Sequence, residues 1–261
     1  MQRRLRAVLA PVILVLLAFA SAASAQAPAS TAIPRTADGK PDFSGIWQTL
    51  TTASWDIQDH AAQEGVPGGP GIVVGNELPY QPAALARRKQ NSAQRATLDP
   101  VAKCYLPGIP RLLYMPYPFQ IVQTPDQVMQ LFEFVHAVRL IFMAGAHPPG
   151  PIDWWLGDSR GRWEGDTLVV DAVHFSDRTW FDAAGNFHSE VMHLVERYTY
   201  LGPDHMQYDV RIDDPKVFTR PWDMRVILYR RKEQNAQLYD YECYAFDYER
   251  YYPYPQMRSP Q

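Results

Sequence analysis

The chain reads as a mainly β protein, an antiparallel β-barrel with one helix on its N-terminal side. Three observations point there. From Phe119 onward, short strand-like runs alternate with turn residues, and no helical period survives in that half. Proline and tyrosine are both abundant, at 23 and 15 residues, as suits short strands punctuated by turns. Consecutive strands look hairpin-linked, and closing the sheet removes its unpaired edges.

The elements follow in order. Met1–Arg6 is a basic head, Ala7–Ala20 an uncharged apolar run, and Ala23-Ser24-Ala25 a small-residue cleavage site. That is the layout of a secretory signal peptide over residues 1–25. The apolar run is shorter than the roughly 20 residues a spanning helix needs. The expectation is a periplasmic or secreted protein, with no stable membrane insertion after cleavage. Residues 26–40, rich in Ala, Pro, Ser and Thr, form an extended leader. Residues 41–261 make a single barrel domain, opened by Gly45-Ile46-Trp47.

Residues 56–75 are Gly/Pro-rich loop. Pro82–Ala96 carries strong helix formers and no glycine, and Asp99-Pro100 stops it. Strands are expected over 119–124, 127–134 and 137–143, around a hairpin tip at 161–167, then over 168–173, 191–200, 205–213, 224–230 and 237–247.

The net charge is −3, and the only basic clusters are short, such as Arg87-Arg88-Lys89 and Arg230-Arg231-Lys232. Nucleic acid is not an expected partner. Cys104 and Cys243 are the only cysteines. In an exported chain an even count favours a bridge, which would contribute about 4–5 kcal/mol by closing a long loop; two separate buried thiols are the alternative. Two cysteines alone argue against a zinc site.

Three stretches then identify a pattern: Cys104-Tyr105-Leu106-Pro107-Gly108-Ile109-Pro110-Arg111, Pro116-Tyr117-Pro118-Phe119-Gln120-Ile121-Val122-Gln123-Thr124, and Gly161-Arg162-Trp163-Glu164-Gly165-Asp166-Thr167-Leu168-Val169-Val170-Asp171. It continues through Thr179-Trp180, Asp182, His188-Ser189-Glu190, Glu196-Arg197 and Ile212-Asp213-Asp214-Pro215-Lys216. The chain resembles a large family of exported bacterial proteins with a lipocalin-like general look. The resemblance covers nearly the whole mature chain and implies a barrel that holds small hydrophobic molecules. Where the family often reads Val-Gly-Phe-Asn, this chain has Val173-His174-Phe175-Ser176, so a role for His174 would belong to this member.

Strand alternation sorts the candidate chemistry. Glu133 shares a face with Leu131 and Val135, where a desolvated carboxylate can act as general acid or base, or form a structural pair with Arg139 or Arg111. His136, His188 and Glu196 complete the expected acid–base set. His188 follows a turn, where sites gather at a barrel mouth. Arg139 would orient an anionic group. Asp171 and Asp182 flank Trp180 and can share acid and base roles or cap turns. Tyr241, in the Tyr-rich tail, offers a ring face to a flat ligand or simply packs the last strand. His193 reads as a core or surface histidine. Metal-ligand spacing is absent from the sequence, although histidines distant in sequence can converge. No nucleophile elbow or phosphate loop is present, and no cofactor signature.

Two readings remain open. One is an exported enzyme doing cofactor-free acid–base chemistry on a hydrophobic or aromatic small molecule, of hydratase, lyase, isomerase or cyclase type. The other is a periplasmic binding protein using the same pocket without catalysis. Ionisable groups converging on the pocket floor distinguish the first; walls of aromatic and aliphatic side chains distinguish the second. The site is expected inside the strand-rich half, with the 82–96 helix closing one end.

Overall fold

The computed structural model describes residues 32–150, 152–241 and 243. The signal peptide over 1–25, the start of the leader and the end of the 237–247 strand lie outside the described residues.

Nine strands close into one barrel in sequence order. They are β1 (Gly45–Gln48), β2 (Phe119–Gln123), β3 (Gln127–Phe132), β4 (Val138–Phe142), β5 (Asp158–Glu164), β6 (Thr167–Val173), β7 (His193–Gly202), β8 (His205–Asp213) and β9 (Trp222–Arg230). β1 pairs with both β2 and β9, which seals the ring.

The expectation of a purely antiparallel barrel is corrected at one seam. β4 and β5 run parallel, with Ile141 opposite Ser159 and Phe142 opposite Arg160. The reason is topological: directions can alternate all the way round a closed ring only when the strand number is even. With nine strands at least one neighbouring pair must be parallel. That pair falls at the 143–157 connection, which carries the chain back across the barrel instead of turning it in a hairpin.

Alternation decides what fills the barrel. Val128, Ile141, Leu168, Val170, Leu194, Met206, Val210, Met224 and Leu228 are buried at every second strand position. At the closing seam Trp47 is fully buried, and its Nε1 donates to the Phe43 carbonyl at 2.8 Å. The Arg230 guanidinium lies 4.3 Å over the Trp47 ring and donates to the Ser44 carbonyl and the Tyr200 hydroxyl. Gly45 has φ 132°, and a Cβ there would run into that guanidinium, so the seam needs glycine on both counts.

The helices belong to the long excursion between β1 and β2: α1 (Pro82–Ala93), α2 (Arg95–Leu98) and α3 (Arg111–Tyr114). The helix expected over 82–96 is therefore α1, which ends at Gln94 (φ −114°, ψ 19°) with α2 starting immediately after. Pro82 opens α1 at a position where a missing N–H breaks no helical bond. Asn91 of α1 donates to the Gly185 carbonyl at 3.2 Å, and Arg87 stacks 4.4 Å over Phe187, so α1 rests on the 174–192 connection.

After β9 the described chain runs without regular strand to Tyr241, which forms an isolated parallel bridge with Phe134. Cys243 is joined to Cys104, with their Cα atoms 5.4 Å apart. No helix among the described residues is long and apolar enough to cross a membrane.

Candidate functional site

A cavity of about 450 Å3 lies between the excursion and the end of the barrel where β2 begins and β3 ends. Trp55 comes from the chain after β1, Arg95 and Ala96 from α2, Ala102 and Cys104 from the turn that follows, and Arg111 from α3. Met115–Tyr117 lead into β2, Phe134 follows β3, and Tyr241 and Cys243 arrive from the tail.

Three of these rings form a triangle: Tyr117–Phe134 at 5.2 Å, Tyr117–Tyr241 at 4.6 Å and Phe134–Tyr241 at 5.1 Å between centroids. Burial, then the hydrogen bond to Tyr241, holds the Tyr117 hydroxyl above its usual range, so it stays protonated. Glu133 is not part of the cavity wall. Its carboxylate accepts the Tyr239 amide at 2.9 Å and pins the tail that brings Tyr241 in. The cavity also holds one ion pair. Arg111, 3% exposed, donates from both terminal nitrogens to Asp99 at 2.8 and 2.9 Å. Burial opposes the Arg111 charge, but Asp99 outweighs it and keeps the guanidinium ionised.

Glu196 and Arg139 meet elsewhere, inside the barrel. Both are fully buried and paired through two contacts, one of them at 3.0 Å. Arg139 also donates to Ser159 Oγ at 2.9 and 3.1 Å and to Gln130 Oε1 at 3.3 Å. Glu196 accepts the hydroxyls of Tyr198 and Tyr208, and Gln130 donates to Tyr198 at 3.0 Å. Burial disfavours the Arg139 charge, but Glu196 more than compensates. Burial, reinforced by Glu196, keeps both tyrosines protonated. Each of these donors points at an acceptor within the network, an arrangement suited to fixing strand register rather than moving protons.

The 174–192 connection carries three further candidates, all buried: Trp180, Asp182 and His188. His188 Nδ1 donates to the Ser189 carbonyl at 3.0 Å, so its Nε2 accepts from Thr179 Oγ1 at 2.6 Å. Burial lowers its pKa. His188 is therefore a neutral core residue rather than a rim residue. Thr179 in turn lies against Gly108, where φ is 84° and a Cβ would overlap the threonine side chain.

Asp182 accepts from the Ile57 amide at 2.9 Å and from Asn186 N at 3.0 Å, and also from Asn186 Nδ2. Burial and then the Asp56 charge push it up to about 7. An unfolded aspartate ionises near pH 4. Between those values the folded state holds the extra proton, so stability falls as pH rises across that window. Asp182→Asn should make that fall shallower, measured as urea midpoints near pH 4 and near pH 7.5. Parallel profiles for the two proteins would reject this.

Asp171 belongs to a chain of histidine–carboxylate contacts on the outer face. It meets His193 Nε2 at 3.0 Å and His147 Nε2 at 2.9 Å, and His147 Nδ1 meets Asp158, which Arg160 holds through two 2.8 Å bonds. Burial works against Asp158, but Arg160 and His147 hold it below the usual carboxylate range. Burial likewise works against Asp171, but His193 and His147 lower it. The chain clamps the 143–157 connection to the barrel wall. His136 sits in the turn between β3 and β4 at φ 51°, its Nε2 3.8 Å from Asp240. No group of three or more His, Cys, Asp or Glu among the described residues is arranged to hold a metal ion.

The structure thus brings together Arg139 with Glu196, and Trp180 with Asp182 and His188 along one connection. Of the nine candidate residues, only Tyr241 lines the cavity. Sequence reasoning missed Trp55, Asp99 and Tyr117 there, and had Arg111 only as a possible partner of Glu133, whereas it pairs with Asp99. Arg111 carried a usable signal: a lone charge among Ile109, Leu112 and Leu113 must find a buried partner. No family model, curated protein or solved structure matches the chain.

Proposed function

We propose that this protein works outside the cytoplasm as a binding protein for a small apolar or aromatic molecule, held in the cavity between the excursion and the barrel end. The observation that carries this reading is the wall itself: four aromatic side chains, Trp55, Tyr117, Phe134 and Tyr241, around about 450 Å3, with the charges of Arg111 and Asp99 paired to each other. That volume lies in the range of small-ligand sites. The signal-peptide pattern and the Cys104–Cys243 bridge support export. Acid–base catalysis has less support, because Glu133, His136, His188 and Glu196 lie apart and each already has partners.

Phenylnaphthylamine, a neutral dye that fluoresces in apolar surroundings, tests the reading. Wild-type protein should bind it saturably with energy transfer from Trp55. Ala102→Trp, at an exposed position on the cavity wall, should fill the space and weaken binding at least tenfold. Absence of binding by this dye and by its sulfonated analogue, or binding that Ala102→Trp leaves untouched, overturns it.

A further inference from the structure

The charge around the cavity indicates what its ligand carries, an inference that rests on the binding reading above. Asp99 and Arg111 neutralise one another in a bidentate pair. Glu133, which lies near Tyr117, is turned to the Tyr239 amide and is absent from the wall. Arg95 is the remaining charge on the wall among the described residues. It is half-buried on α2, lines the cavity, and its side chain makes no ion pair or hydrogen bond among the described residues. On its other side Arg95 borders a smaller hollow containing Asp56, but Asp56 faces Arg88 at 3.5 Å and accepts the Gln58 amide at 3.0 Å. Among the described residues the walls therefore hold two guanidinium groups and one carboxylate, with the uncompensated cation lining the same cavity as the aromatic triangle.

A half-buried guanidinium over apolar walls is partly desolvated, which strengthens its attraction for an anion beyond the bulk-water value. Its planar fork matches an oxyanion that offers two oxygens. We propose that the ligand is an amphipathic organic anion: an apolar, ring-bearing body against Tyr117, Phe134, Tyr241 and Trp55, and one carboxylate or sulfonate head at Arg95.

Two dyes that differ only in the head group test this, neutral phenylnaphthylamine and anilinonaphthalene sulfonate. Wild-type protein should prefer the sulfonate about tenfold, and added salt should erode that preference, since screening acts on the charged head alone. Arg95→Gln should remove the preference, whereas Arg95→Lys, which keeps the charge and loses the fork, should retain much of it. Circular dichroism melts establish that both variants fold, and the lysine variant with the salt series decides the matter if the glutamine variant does not. Equal affinity of wild type for both dyes, or a preference that survives in Arg95→Gln, overturns the anion assignment and leaves the binding reading intact. If neither dye binds, both fall.

Discussion

Arg139→Ala is expected to cost about 3–5 kcal/mol of folding stability, the range for breaking a buried ion pair from one side. The variant leaves Glu196, fully buried, with no cation to balance it. Tyr198 and Tyr208 would still donate to it, but two neutral hydroxyls do not replace the charge of a guanidinium. Gln130 and Ser159 lose their Arg139 contact in the same step. Glu196→Ala should be comparably severe, since it strands Arg139. Replacing both by leucine should cost markedly less than the sum of the two, because the desolvation of both ions disappears together. Urea unfolding of the four proteins, followed by tryptophan fluorescence, makes the comparison. Single variants that each lose under about 1 kcal/mol would mean the network carries little stability. The network is not part of the cavity wall, so variants that remain folded should still bind the dyes.

The contrast between that network and the cavity explains what the sequence could reveal. Strand alternation is local, so β8 was legible over 205–213 from its pattern of alternate apolar residues, and Leu168–Val173 fell within β6 because it leaves a recognisable hairpin tip at 161–167. The parallel β4–β5 seam was not legible, because it depends on the total strand number and on where the 143–157 connection crosses. Glu196 and Arg139 were recognisable as candidate charges on strands, yet 57 residues separate them, and only closure of the barrel brings them into contact. The cavity was harder still. Its wall is drawn from the excursion and the tail, segments without periodicity, and Trp55, Arg111 and Tyr241 share no local pattern. His188 misled for a related reason: following a turn, it looked exposed, but the 174–192 connection folds under α1 and buries it.

Removing the Cys104–Cys243 bridge is expected to cost about 4–5 kcal/mol and to weaken binding in the cavity as well. The bridge joins residues 139 apart, and in the chain-entropy model a loop of that order constrains the unfolded chain by about 5 kcal/mol. Its place in the fold gives the second effect. The bridge ties the tail to the excursion beside the cavity, and the segment it holds carries Tyr241, one side of the aromatic triangle. Without it, the contacts left to hold the tail include the Glu133–Tyr239 hydrogen bond, the Phe134–Tyr241 bridge and the contacts of the Tyr241 ring with Phe134 and Tyr117. Each contributes about 1 kcal/mol, too little to keep Tyr241 seated at all times. The paired variant Cys104→Ser/Cys243→Ser should therefore unfold at lower guanidinium concentration and bind phenylnaphthylamine severalfold more weakly. A reducing agent should do the same to wild type and nothing to the paired variant, which separates loss of the bridge from side effects of the serines. Denatured, unreduced wild type should show no reactive thiol. Two reactive thiols, or a guanidinium midpoint unmoved by reduction, would remove the bridge from the account of stability. A lowered midpoint with unchanged dye affinity would mean that contacts other than the bridge, such as those from Glu133 and the aromatic rings, hold Tyr241 in the wall.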